Sequence, residues 1–334
     1  MINASLGDMA VSYAQRQRNT LLKQDINRLT TELASGQISD TGQLLAGNTG
    51  YLSDIESKMS ALAGYKIATT ESTHYASAMQ TSLEQIAEIS QGLSASLLAT
   101  GIAITGASGA ETAGEARHAL SDIIGRLNGQ IAGRYLFSGT ATDTPPVADV
   151  DTILTGLRTA LTGATSPDEI VATTSAWFND PAGFAATAYQ GSPDALSPFA
   201  LSESENVTLD IKATAPELLQ LMAMTAVAAV AADTGFALNK ADQTELFDRT
   251  GQEMLGAQEN LISLQARVGF AEARIDAISA RNSAELTGFE YAKSALLAVD
   301  PFEAATKLEE AQFQLQSLYS VTVRMSQLSI VNFL

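Results

Sequence analysis

Cysteine is absent from the 334 residues, which excludes a disulfide framework, a thiolate-bound metal and a cysteine nucleophile. Aromatic side chains make up only 6%, so a core must rest on Ala, Leu, Ile and Val packed between closely approaching helices. Of the 8 prolines, Pro145, Pro146, Pro167, Pro181, Pro193 and Pro198 fall in one central stretch, and the flanks stay free for long helices. Positive charge is scarce: 19 Lys and Arg stand against 37 Asp and Glu, a net charge of −18. The deficit is concentrated between Ala141 and Leu261, where 17 acids meet 4 bases (17 − 4 gives −13), whereas the first 40 residues carry four of each. Nucleic acid is excluded as a partner, because phosphate binding needs a basic face. Long apolar runs are missing too. The longest charge-free apolar stretch, Leu218 to Ala232, is bounded by Glu217 and Asp233 and falls short of the ~20 residues of a membrane span. It reads as a buried core helix, and no membrane insertion is expected. Residues 1–10 lack the basic and apolar regions of a secretory signal and contain Asp8.

Motifs that carry chemistry are missing as well. There is no H-E-x-x-H, no G-x-x-x-x-G-K-[ST], no G-x-G-x-x-G after a strand and no G-x-S-x-G. His74 and His118 lie outside any ligand-spaced cluster and read as polar helix-face residues. The acid pairs Glu203/Glu205 and Glu309/Glu310 read as solvated faces, since neighbours in sequence do not converge on one substrate. An enzyme is not expected, nor any cofactor or metal.

What the chain does contain is helical periodicity at both ends. Asp300-Pro301-Phe302-Glu303 is a helix start, with Asp300 as N-cap and Pro301 at the first helical position. From there Leu308, Ala311, Leu315, Leu318, Thr322 and Met325 repeat at spacings of three and four, with Leu328 following. Leu22, Ile26, Leu29 and Leu33 repeat likewise before Gly36, which stops that helix. The two terminal stripes are expected to pair with each other, antiparallel, which brings Met1 near Leu334. At about 1.5 Å per residue each helix spans on the order of 45 Å.

Between them, Leu52, Ile55, Met59, Leu62, Met79, Leu83, Ile86, Leu93 and Leu97 predict one helix from about Tyr51 to Thr100, broken by Gly101, Gly106, Gly109 and Gly114. A further helix carries Leu120, Ile124, Leu127 and Ile131 and ends at Gly133. Arg134 to Gly139 is β-prone. In the proline-rich middle, Leu154 to Leu161 and Asp168 to Phe178 read as short helices, and the alternation Val207, Leu209, Ile211 as a half-buried strand. Ala257, Leu261, Leu264, Val268, Ala271, Ile275 and Ile278 then form a four-three seam. Asn282 interrupts it before Leu286 and Phe289, a stutter that locally unwinds a supercoil. The fold class expected is mainly α: long antiparallel coiled-coil-like helices from both ends forming a bundle, with a small inserted α+β middle domain. The divisions are paired terminal helices at 1–40 and 301–334, a helical rod at 41–138 and 214–300, and an outward-facing middle domain at 139–213.

Three segments carry a family resemblance. Ile26-Asn27-Arg28-Leu29-Thr30-Thr31-Glu32-Leu33-Ala34-Ser35-Gly36 and Gly133-Arg134-Tyr135-Leu136-Phe137-Ser138-Gly139-Thr140 resemble the bacterial flagellin family. So does the ending, Leu315 to Tyr319 and Arg324 to Leu334, in a form most similar to the members at the hook–filament junction. Residues Gly36-Gln37-Ile38 depart from the family, where a basic residue commonly follows the glycine. The resemblance implies an extracellular structural protein of the flagellum, exported without a cleavable signal peptide through the type III apparatus. It implies a ring of copies of itself that joins hook to filament, with the other hook-associated junction protein, flagellin and an export chaperone as partners. A filament-forming flagellin and a cytoplasmic coiled-coil adaptor are the alternatives. The expected assembly interface is Leu22, Ile26, Leu29, Leu33, Leu308, Leu315, Leu318, Met325 and Leu328.

Overall fold

The computed structural model describes residues 2–40, 42, 49–102, 106–233 and 238–331, with side chains described from 9 to 325 apart from 106 and 107. Two compact units divide the chain, residues 1–63 with 284–334, and residues 64–283. The protein is mainly helical, and its long helices pair antiparallel as the periodicity predicts.

The first unit is built on α1 (Ile2–Ser35), the opening turns of α2 (Gly50–Ile102), the closing turns of α8 (Lys240–Leu297) and α9 (Pro301–Val331). Gly36, at φ +70, takes the left-handed position that ends α1, and its N–H bonds the Glu32 carbonyl at 2.8 Å. Within this unit Leu52, Ile55 and Leu62 of α2 and Leu297 of α8 are buried. Lys293 bonds Glu56 at 2.7 Å across the pair.

In the second unit α2 and α8 continue antiparallel, and α3 (Gly106–Leu127) and α7 (Pro216–Val230) pack together beside them. Sequence reading expects a glycine break through Gly114, but the helix restarts at Gly106, and Gly109 and Gly114 lie inside α3. The cause is the stripe Ala113, Ala116, Ala119, Leu120 and Ile123, small and apolar at helical spacing, which is buried in the core shared with α7. Helix α7 is apolar on every side and is buried along most of its length, the expected form for a helix surrounded by others. Each of its leucines contributes about 1.5–3 kcal/mol by leaving water.

Residue Ile131 does not extend the helical stripe. Helix α3 stops at Leu127, and Gln130–Ile131 (β1) pairs antiparallel with Arg134–Tyr135 (β2) through a two-residue turn. Ala132 at φ +49 and Gly133 at φ +78 occupy that turn, the paired positive angles that a tight hairpin requires. The proline-rich stretch supplies α4 (Val150–Ala160), α5 (Pro167–Asn179) and the short α6 (Phe184–Thr187). Asp149 caps α4 and Ser166 caps α5. Their apolar faces, with Trp177, Phe178 and Phe184 in edge and stacked contacts, join the same buried cluster as α3 and α7.

A second hairpin, β3 (Phe199–Ala200) against β4 (Asn206–Val207), docks on α8. There the interruption at Asn282 has its explanation: the residue is buried, and its amide donates to the Leu201 carbonyl at 2.8 Å. Next to it Arg281 pairs with Glu205.

Candidate assembly interface

Helices α1 and α9 run antiparallel and pack against each other. Leu22 and Leu29 of α1 are buried, as are Ala304 and Ala311 of α9, while Ile26, Leu308, Leu315 and Leu318 are half-buried along the same contact. Thr322 and Met325 are exposed, although the Gln15 amide reaches the Met325 sulfur at 3.2 Å. Leu328 lies outside the described side chains, as do Met1 and Leu334.

Leu33 stands 39% exposed, and Glu32 takes the covered place at 3%. Two effects account for this. A strict 3.5-residue repeat drifts against the 3.6-residue helix, and the chain folds back over α1 just past Gly36. The Glu32 carboxylate accepts hydrogen bonds from Arg28 at 3.1 and 3.2 Å and from the Ser39 N–H at 3.0 Å. Fully partnered, a carboxylate is tolerated where an unpartnered one would not be. The strand-like return is fixed by an isolated bridge between Gln37 and Ala298. There the Ile38 N–H donates to the Leu297 carbonyl at 2.9 Å and the Val299 N–H to the Gly36 carbonyl at 3.0 Å. One turn further, Asp300 accepts from the N–H groups of Phe302 and Glu303 at 2.9 and 3.2 Å and starts α9, as its sequence predicts. Higher along the pair the Tyr319 hydroxyl bonds Asn19 and Lys23, which together hold its pKa below the ordinary tyrosine value.

The outward face of each helix, turned away from this seam, carries large apolar side chains that the leucine stripes do not include. Phe302 is 84% and Phe313 71% exposed. Eleven residues apart, they lie on one face of α9, opposite Ala304 and Ala311. Met9 and Tyr13, one turn apart, are each 66% exposed on the corresponding face of α1. Val323, Val321 and Leu21 add exposed apolar surface nearby along the helices. Large side chains recurring off the seam were the available signal, and seam counting alone passes over them. Large apolar side chains left in solvent on the outer faces of both helices are surfaces suited to burial against other proteins.

Among the described residues there is no group of three or more His, Asp or Glu arranged to hold a metal ion. His74 and His118 are exposed on α2 and α3. No described helix is long and apolar enough to cross a membrane.

Residues 252–334 match the bacterial flagellin C-terminal helical region. Among solved structures, a Vibrio parahaemolyticus protein assigned as a flagellar hook-associated protein is 15% identical, covers 75% of this chain and 99% of its own, and superimposes with a TM-score of 0.53. Bacillus cereus FlgL is 14% identical over 72% of this chain and 95% of its own, with a TM-score of 0.40. The likeness in fold rests on the first of these. No curated protein sequence matches the chain.

Proposed function

We infer that this chain, a flagellar structural protein of the hook-associated and flagellin type by its C-terminal helical region and its fold, polymerises where the hook meets the filament. The observation that carries the reading is the terminal pair. Helices α1 and α9 satisfy one face against each other through Leu22, Leu29, Ala304 and Ala311 and leave Met9, Tyr13, Phe302 and Phe313 in solvent. Two helices that are each apolar on the seam and again on the outward side suit a subunit whose outward sides are covered by its neighbours. The role is structural rather than catalytic. Copies of the chain form a ring, which contacts the other hook-associated junction protein on one side and flagellin on the other.

Export follows from the same surface. The chain leaves through the type III apparatus, and an export chaperone covers the exposed stripe of α9 until assembly. Residues 1–40 with 301–334 act as the polymerising part, and residues 139–213 face outward.

A second reading, a flagellin that forms the filament itself, is favoured by the match of residues 252–334 to a region that flagellins share. Electron microscopy of a strain lacking the gene separates the two. Hooks without filaments, together with flagellin shed into the medium, are expected for the junction role. Filaments of normal length overturn both readings, whereas hooks still capped by intact junction proteins point to the filament subunit.

A further inference from the structure

Beyond Val207 the chain stays extended without a partner strand. Leu209 and Ile211 are buried beneath it and Thr208 and Asp210 point outward, the alternation of a strand on a core. The backbone N–H and C=O groups of residues 208–211 make no hydrogen bond with any described residue, since β4 ends its pairing with β3 at Val207. Alongside runs α8, and the two enclose a groove of about 420 Å³ whose helical wall includes Arg267, Phe270 and Arg274. Phe270 is exposed over the groove. Arg267 is held loosely, 3.8 Å from Asp210 and 3.6 Å from Glu217, and Arg274 has no ion pair among the described residues.

An open strand edge pairs readily with another extended chain. The dimensions agree with this. Arg267 and Arg274 are two helical turns apart, about 10 Å along α8, and residues 208–211 extend over about 13 Å at strand spacing. A short strand added to the edge therefore passes both guanidinium groups, and carboxylates on it meet them.

We propose that this edge takes an extended acidic segment of a second copy of the chain as an added β-strand, its main chain paired to residues 208–211 and its carboxylates on Arg267 and Arg274. Charge complementarity selects the occupant. The chain's own surface is acidic, −18 overall and −13 between residues 141 and 261, so a neighbouring copy presents the sign that two under-used arginines require. This inference rests on the reading of the chain as a self-assembling subunit, but it concerns a second contact, separate from the terminal helices.

The test is hydrogen exchange on the full-length protein, followed residue by residue as its concentration is raised and again in the assembled polymer. In dilute solution the amides of residues 208–211 exchange rapidly. On association every second one, the set facing the added strand, slows by tenfold or more. Arg267→Glu with Arg274→Glu is expected to abolish that slowing while the melting temperature and helical signal of the dilute protein stay unchanged. Thr208→Pro, which removes a main-chain donor without touching α8, is expected to weaken association in the same way. Amides that remain fast at every concentration and in the polymer overturn the proposal, as does slowing that survives the double charge reversal. A polymer that assembles with these amides fast leaves the terminal-helix reading standing. Slowing at this edge with no polymer formed does the reverse.

Discussion

At the scale of single residues, two carboxylates illustrate opposite solutions to burial. Glu32 is covered but fully partnered by Arg28 and the Ser39 N–H. Glu32→Ala leaves that N–H and the Arg28 Nη1 without their acceptor, although Nη2 keeps Asp25, and is expected to cost about 1–3 kcal/mol, measured as a lowered denaturation midpoint. An unchanged midpoint removes Glu32 from the account of how the chain turns back at Gly36. Glu272 is the reverse case. Burial raises its pKa, and the charges of Asp276, one turn on, and Glu84 raise it further. Because the folded value lies above the unfolded one, the stability tied to its proton is fully present below the unfolded pKa and is lost as pH rises through the raised folded value. Glu272→Gln is therefore expected to flatten that part of the pH–stability profile. At neutral pH it should stabilise by about 0.2–0.5 kcal/mol, the size of a relieved like-charge pair on a helix. Destabilisation at pH 7 with an unaltered profile contradicts it. Gly139, by contrast, is a steric requirement: at φ +63, an added Cβ would lie 2.2 Å from the Asp194 carbonyl oxygen.

Elements show which parts of the fold were legible in the sequence. The ranges of α2 and α5, the presence of α4 and the cap of α9 follow from apolar periodicity and capping residues, because these are local, although α4 starts at Val150, four residues before the Leu154 that the periodicity marks. The start of α3 does not: Gly106, Gly109 and Gly114 argue against a helix by propensity, and the alanine stripe overrides them only because α7 is there to receive it. Ile131 keeps the helical spacing of Leu120, Ile124 and Leu127, yet the tight turn at Ala132 and Gly133 claims it for a hairpin. The interruption at Asn282 is visible as a break in the α8 seam, but its purpose is not, since the acceptor is the Leu201 carbonyl 81 residues away. Asn282→Leu restores the apolar seam and orphans that carbonyl. The net expected effect is a loss of about 1–3 kcal/mol, with new protease cleavage between Phe199 and Val207 as the β3–β4 hairpin lifts from α8. Resistance to cleavage equal to that of the unaltered protein shows that the hairpin is held by its other contacts. Trp177 serves as a second probe of this unit. Its neighbours Phe178 and Phe184 belong to the buried cluster that also contains α3 and α7, so its fluorescence transition is expected to coincide with loss of the helical signal from residues 64–283. A separate, earlier transition would mark residues 139–213 as an independent folding unit.

For the whole molecule, the terminal helices separate folding from assembly by face. The candidate site was half legible: the stripe that pairs α1 with α9 could be counted from leucine spacing, whereas the exposed aromatic side emerges only once the pair is built and its outer surface is known. The two faces predict different mutant behaviour. Leu29→Asp places an unpartnered carboxylate in the seam, where burial costs several kcal/mol. Helices α1 and α9 are then expected to separate, with a loss of helical signal in the soluble protein. Phe302→Ser with Phe313→Ser removes only solvent-exposed rings, and its effect on the stability of the isolated chain is expected to stay within about 0.5 kcal/mol. Assembly should nevertheless fail, because the aromatic anchors of a contact carry a large share of its energy. Sedimentation velocity on the purified variant, read beside swarming of cells that carry it, decides the matter. A stable, exported, monomeric protein in non-swarming cells is the expected result. Normal polymers from the Phe302 and Phe313 variant would mean that this face stays in solvent in the assembled flagellum.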